Sequence, residues 1–204
     1  MFDQFLRLLK ERWFAPIARS VGPRVSPTTI SLIAFAFGIG AAVAAYVGQN
    51  GLALAAWLLN RVLDGLDGTH ARVHNAQSDF GGYLDIMLDS IVYAAIPLAI
   101  AMGDGTRALL SATVFLQATY FVNTASWMFL AAILEQRHAG AHDRGELTTV
   151  TMPPALIAGT ETVVLFSLFL ALPAYRVTLF WAMGGLVCVN VAQRLHWARR
   201  RLLR

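Results

Sequence analysis

Four aspartates, Asp64, Asp67, Asp85 and Asp89, lie in stretches of this chain that are otherwise apolar. An ionisable side chain at membrane depth is costly when left alone, and such residues mark function by default. Their spacing shows how they are used. Asp64 and Asp67 are i and i+3, so on a helix they share a face, and Gly68 and Ala71 continue the same stripe. Gly81, Asp85 and Asp89 fall at i, i+4 and i+8, again on one face. Four negative charges in a partly dry site repel one another, and either protonation or bound cations must relieve them. Nearby basic residues are few, namely Arg61 and Arg72. An all-oxygen donor set suits a hard divalent cation, Mg²⁺ or Mn²⁺. Four carboxylates suffice for two such ions, an arrangement that clamps phosphoryl oxygens during a displacement. Gly68, Ala71 and Gly81 leave room beside the metals for a phosphorylated ligand. Taken alone, they also suit close helix packing.

The elements that must carry these residues are membrane helices. Of 204 residues, 57% are hydrophobic and only 14% charged, which is too apolar for an ordinary water-soluble domain. Continuous apolar runs fall near 27–47, 52–72, 79–102, 108–133, 154–173 and 177–197. Each is about 20 residues, enough to cross a bilayer core as a helix. The runs do not alternate apolar with polar, which excludes a closed barrel. The expected fold is therefore all-α and integral to the membrane, with six transmembrane helices.

Ahead of the first span, Phe2, Phe5, Leu6, Leu9, Trp13, Phe14 and Ile17 recur at helical spacing among Arg7, Lys10, Glu11 and Arg12. This pattern suits an amphipathic helix in the headgroup region and equally one packed on the bundle. It lacks the apolar core and cleavage site of a signal peptide. Residues 1–25 are thus expected to form the interfacial helix and 26–204 the six-helix catalytic domain.

Of the 16 basic residues, all but Arg61, Arg107 and Arg176 fall on one side of the expected spans. The positive-inside rule then puts both termini in the cytoplasm. There is no soluble basic domain to bind nucleic acid. The single Cys188 cannot form an intrachain disulfide. At helical rise from Arg72, Asp67 and Asp64 lie roughly 7 and 12 Å inward. From Asp79, Asp85 and Asp89 lie roughly 9 and 15 Å inward. Two helices joined by a short turn pack as antiparallel neighbours, so all four carboxylates are expected at one level just inside the cytoplasmic face.

Asp64-Gly65-Leu66-Asp67-Gly68-Thr69-His70-Ala71-Arg72, eight further residues, then Gly81-x-x-x-Asp85-x-x-x-Asp89 resembles the signature of the CDP-alcohol phosphotransferases (CDP-alcohol phosphatidyltransferases). All eight defining positions are filled. The resemblance implies transfer of a substituted phosphate group, usually phosphatidyl from CDP-diacylglycerol, to an alcohol acceptor with release of CMP. It implies that Asp64, Asp67 and Asp85 ligate metal around the donor diphosphate. Asp89 is implied as the general base next to the metal site, and it is counted with the other three aspartates as a metal ligand. Gly68, Ala71, Arg72 and Gly81 are implied to seat the CDP moiety. Homologues of this family pair, so a homodimer is implied as well. The acceptor is left open, since glycerol phosphate, inositol phosphate, serine and other alcohols are all used within the family.

Other features carry paired readings. Ser26-Pro27 suits an N-cap followed by a first-turn proline, and the same helix end suits a phosphate. Asn123 and Ser126, and Thr160-Glu161-Thr162, either line an acceptor cavity or join helices; Glu161, if buried, needs a partner such as Arg61 or Arg194. His70 and His74 read as surface or interfacial histidines. The loop Glu135–Met152, with His138, His142, Asp143 and Glu146, reads as a solvated cytoplasmic connection. Arg61, Arg137, Arg144 and Arg194 are the cations available to a phosphorylated acceptor. Two competing functions are a cation transporter built on the same carboxylates and a non-catalytic lipid-binding protein.

Overall fold

The computed structural model describes residues 2–137 and 159–203. Among these residues there are seven α-helices, one short 3₁₀ turn and no strand. They are α1 (Phe2–Val21), α2 (Pro27–Tyr46), α3 (Asn50–Val73), α4 (Asp79–Asp104), α5 (Arg107–Gln136), α6 (Gly159–Ala171) and α7 (Arg176–Leu202), with the turn at Pro173–Tyr175. By length and apolar composition, α2, α4 and the stretch Pro173–Leu202 are able to cross a membrane, and α6 is a shorter apolar helix. The expected span at 154–173 appears from Gly159 onward; its first residues, and all but the start of the 135–152 loop, lie outside the described residues.

The helix starts follow local chemistry. Ser26 caps α2 by accepting from the Thr29 N–H at 3.1 Å, with Pro27 in the first turn where its missing N–H costs nothing. Ser78 caps α4 in the same way, accepting from Gly81 N–H at 3.0 Å. A Cβ on Gly81 would stand 3.1 Å from that Ser78 hydroxyl, so glycine keeps the cap uncrowded. Between α3 and α4 the chain turns through Asn75 at φ 52°, a left-handed conformation that asparagine tolerates well.

The chain divides into two compact units. The first holds α1 to α4 together with Phe166–Pro173 from the end of α6. Here α2 packs on both α3 and α4, and α1 packs on α3. Gly38 permits this closeness, since a Cβ there would lie 2.5 Å from Val92 Cγ2 and 3.1 Å from Asn60 Nδ2. Trp57 is fully buried, stacked on Phe166 at 5.1 Å, with its indole N–H donating to Ser167 Oγ at 3.2 Å.

His70 is buried rather than superficial, and its Nε2–H donates to the Val25 carbonyl at 2.9 Å. His74, tilted against it at 4.5 Å, donates to the Ala18 carbonyl at 3.1 Å. The two histidines therefore tie the end of α3 to α1 and to the α1–α2 link. Sequence alone does not reveal this, because the partners are backbone carbonyls distant along the chain.

The second unit holds α5, residues 159–165 of α6, and α7. Phe115 stacks on Trp181 at 4.6 Å, and a Cβ on Gly184 would meet Phe115 at 2.5 Å. Buried Arg194 donates from Nη1 to the Asn123 side-chain oxygen at 3.0 Å and to its carbonyl at 3.2 Å, with Ser126 Oγ at 3.4 Å. Asn123 and Ser126 thus join α5 to α7. Glu161 is exposed rather than buried.

Candidate active site

The site is built within the first unit, on facing stretches of α2, α3 and α4. Carboxylate oxygens of Asp64, Asp67 and Asp85 all lie within 4.8 Å of one another. Asp67 is buried and the other two are half-buried. The i, i+3 pair of α3 and the facing residue of α4 thus meet at one point, as their spacing requires. Ser31 on α2 joins them, donating its hydroxyl to Asp67 Oδ2 at 2.5 Å. That contact escaped the sequence reading, although a serine one turn into an apolar span is the kind of polar group that marks a site.

Asp89 lines the same small cavity as Ser31, Asn60, Asp64 and Asp85 but stands apart from the trio. Arg61 grips it with both arms of the guanidinium, Nη2 to Oδ1 at 2.6 Å and Nη1 to Oδ2 at 3.3 Å. Nη1 also donates to the Tyr93 hydroxyl at 3.0 Å, and Nε to Asn60 Oδ1 at 2.7 Å. Asn60 in turn donates to the Ala34 carbonyl of α2 at 2.7 Å. The guanidinium lies 4.7 Å from the Trp57 ring centroid and 5.2 Å from that of Tyr93, within cation–π range. Arg61 approaches Asp64 Oδ2 at 3.6 Å. Arg61 therefore partly compensates two of the four carboxylates, Asp89 and Asp64.

The remaining motif positions cluster at the end of α3 and the start of α4. Arg72 folds back over its own helix, with Nη2 3.4 Å from Thr69 Oγ1. A Cβ on Gly68 would stand 3.4 to 3.9 Å from the Arg72 guanidinium, an ordinary contact distance. Ala71 and Gly81 are half-buried.

The donor set fits a hard divalent cation. It offers carboxylate oxygens only, from two helices held in register, and among the described residues no histidine or cysteine joins the cluster.

The model of one protein family, CDP-alcohol phosphatidyltransferase, matches residues 24–193. The chain belongs to this family. It is therefore an enzyme that transfers substituted phosphate groups, and the transporter reading of the same carboxylates falls away. A curated relative is the inner membrane protein YnjF of Escherichia coli (strain K12), 32% identical over 173 residues, 85% of this chain and 82% of the relative. With its apolar helices, the chain is an integral membrane protein.

Among solved structures, the fold is similar to that of Mycobacterium tuberculosis phosphatidylinositol phosphate synthase (PgsA1) with CDP-DAG bound. The TM-score is 0.70 at 19% identity, covering 92% of this chain and 94% of that one. The same enzyme in complex with manganese and citrate matches with a TM-score of 0.69 at 18% identity, covering 91% and 88%. Both likenesses speak to the fold. Family membership and the aspartate trio together support the use of a divalent metal.

Proposed function

We propose that this CDP-alcohol phosphatidyltransferase moves a phosphatidyl group from CDP-diacylglycerol to an alcohol, with release of CMP. The observation that carries the reading is the convergence of Asp64, Asp67 and Asp85 within 4.8 Å beside a separately held Asp89. The trio would hold Mg²⁺ or Mn²⁺, two ions when the donor diphosphate is present. Bound there, the metal withdraws charge from the diphosphate and makes CMP a better leaving group.

The other steps belong to the chain's own groups. Asp89 accepts the proton of the acceptor hydroxyl as that oxygen attacks the lipid-side phosphorus. A new P–O bond forms, the bond to the CMP oxygen breaks, and CMP leaves with the electron pair. Arg72 supplies a cation to the nucleotide phosphates, while Gly68, Ala71 and Gly81 keep the approach clear.

The membrane arrangement belongs to the same proposal. Six spans, α2 to α7, place both termini and the site toward the cytoplasm, in keeping with the distribution of Lys and Arg. Residues 1–25 act as the interfacial segment and 26–204 as the catalytic domain. In α1, Trp13 is 70% and Ile17 48% exposed, while fully buried Ala18 faces α3. That apolar outer side suits a lipid headgroup region.

The test is direct. Purified protein receives labelled CDP-diacylglycerol, Mg²⁺ or Mn²⁺ and a panel of alcohols, both phosphorylated and not. CMP release and a new phospholipid are expected with at least one acceptor. Failure to bind any CDP-linked donor in the presence of either metal would overturn the proposal.

A further inference from the structure

Four polar residues of α3 bond, in order, to the chain that precedes that helix. Asn60 donates to the Ala34 carbonyl at 2.7 Å, and Asp67 accepts from the Ser31 hydroxyl at 2.5 Å. His70 donates to the Val25 carbonyl at 2.9 Å, and His74 to the Ala18 carbonyl at 3.1 Å. As the positions on α3 rise, their partners descend, the order that antiparallel neighbours require. Steps of seven, three and four residues keep all four side chains on one side of the helix. At helical rise this ladder is roughly 21 Å long.

The ladder supplies what the rest of the contact lacks. The buried residues of α2 are mostly alanine and glycine. Small side chains let helices approach closely, but they do not fix how far one slides along the other. Directed hydrogen bonds do fix it. A slide of one turn, about 5.4 Å, would break every rung.

Resting on the metal reading above, we propose that His70 is a positioning residue. Its bond to Val25 holds α3 in the register that brings Asp67 to Ser31 and to the other two carboxylates. His70 is the rung beside Asp67, about one turn further along α3. Val25 directly precedes Ser26, the cap of α2, and Ser31 follows within two turns. These two rungs therefore pin the same short stretch of both helices.

Packing alone does not call for a histidine here. The side chain is buried, and its Nδ1 has no partner among the described residues. An unpaired buried polar atom is unfavourable, and a leucine would fill the space without one. A leucine cannot supply the N–H. Because a carbonyl only accepts, the proton sits on Nε2 and is aimed at Val25.

His70→Leu, His70→Gln, Ser31→Ala and the His70→Leu/Ser31→Ala double variant are purified as the full chain. For each, the Mn²⁺ concentration that half-activates CMP release is measured, with kcat at saturating Mn²⁺ and the thermal unfolding midpoint. His70→Leu raises the half-activating concentration about tenfold, inside the roughly 2–30-fold range of residues that act through a network. Its kcat at saturating Mn²⁺ changes little. Glutamine carries an amide N–H near the place of Nε2, so His70→Gln recovers most of the loss. The double variant stays near the larger of the two single shifts, because both substitutions remove one alignment.

An unshifted half-activating concentration in His70→Leu overturns the inference, even where the unfolding midpoint falls, since that is a role in stability alone. So does a glutamine variant no better than leucine, or a double variant whose shift is the product of the single shifts. An unshifted Ser31→Ala overturns it as well, because the Ser31–Asp67 rung then aligns nothing. If His70→Leu does not fold, His70→Asn takes its place in the cycle, its amide being too short to reach Val25. Wild-type protein that binds no Mn²⁺, read from the free-ion electron paramagnetic resonance signal, overturns the metal reading itself, which separates the two failures.

Discussion

Ser31 on α2 donates its hydroxyl to Asp67 on α3 across 2.5 Å, so a helix outside the family motif orients one of the motif's carboxylates. Asp67 is buried, and the Ser31 hydroxyl fixes the direction of one of its oxygens. Ser31→Ala is expected to weaken Mn²⁺ binding about tenfold, within the usual range for outer partners of metal ligands. The midpoint of the metal-activation curve for CMP release should move by the same factor while kcat at saturating metal changes little. An unchanged midpoint would show that packing alone aligns Asp67.

Chelation gives a second prediction. Three clustered carboxylates repel one another in a partly dry site, and a cation relieves that strain. Excess EDTA should therefore abolish CMP release, and Mg²⁺ or Mn²⁺ should restore it. Metal should also raise the unfolding temperature, because a ligand that binds only the native state stabilises it. Asp64→Asn, with one carboxylate fewer, should show a smaller metal-induced rise. A rise as large as that of wild type would place the ion elsewhere.

Much of the site was legible because its determinants are local. Caps at Ser26 and Ser78 act within one turn, and the spacing of Asp64, Asp67, Asp85 and Asp89 fixes which face each occupies whatever surrounds them. Packing of both helices on α2 then brings those faces together. What remained hidden depends on how whole helices rotate and approach. Arg61 and Asp89 are 28 residues apart, and sequence offered Arg61 several partners, Glu161 among them. The choice follows from how α3 and α4 each seat against α2, with Trp57, Tyr93 and Phe166 in mutual ring contact. Ser31 and the burial of His70 were missed for the same reason, since their partners lie on other helices or are backbone carbonyls.

Gly38 supplies a stability prediction with an internal control. Its hypothetical Cβ falls 2.5 and 3.0 Å from the two methyls of Val92 and 3.1 Å from Asn60 Nδ2. Val92 is β-branched and stiff at χ1, so it cannot easily yield. Gly38→Ala should cost about 1–3 kcal/mol, the usual range for overpacking, and lower the thermal unfolding midpoint in detergent. Gly40, on the same helix, has nothing within 4 Å of its Cβ position. Gly40→Ala should be neutral or stabilise by up to about 1 kcal/mol, from helix propensity alone. Equal behaviour of the two variants would show that α2 does not depend on the close approach at Gly38.

Asp85 and Asp89 are one turn apart on α4, and their different neighbours predict different losses. Asp85 belongs to the trio whose oxygens lie within 4.8 Å, so Asp85→Asn should weaken metal binding and raise the metal concentration needed for activity. Asp89 contacts Arg61 instead, so Asp89→Asn should leave Mn²⁺ affinity close to wild type. The amide keeps the size of the carboxylate but cannot accept the acceptor's proton, and kcat should fall about 10²–10⁴-fold, the range for loss of a general base. Donor KM should hold, because the nucleotide-facing residues are untouched. Mn²⁺ titration and initial-rate CMP release on the two variants read both effects. Full turnover by Asp89→Asn would remove Asp89 from the base role, and a metal defect in that variant equal to that of Asp85→Asn would make it a ligand instead.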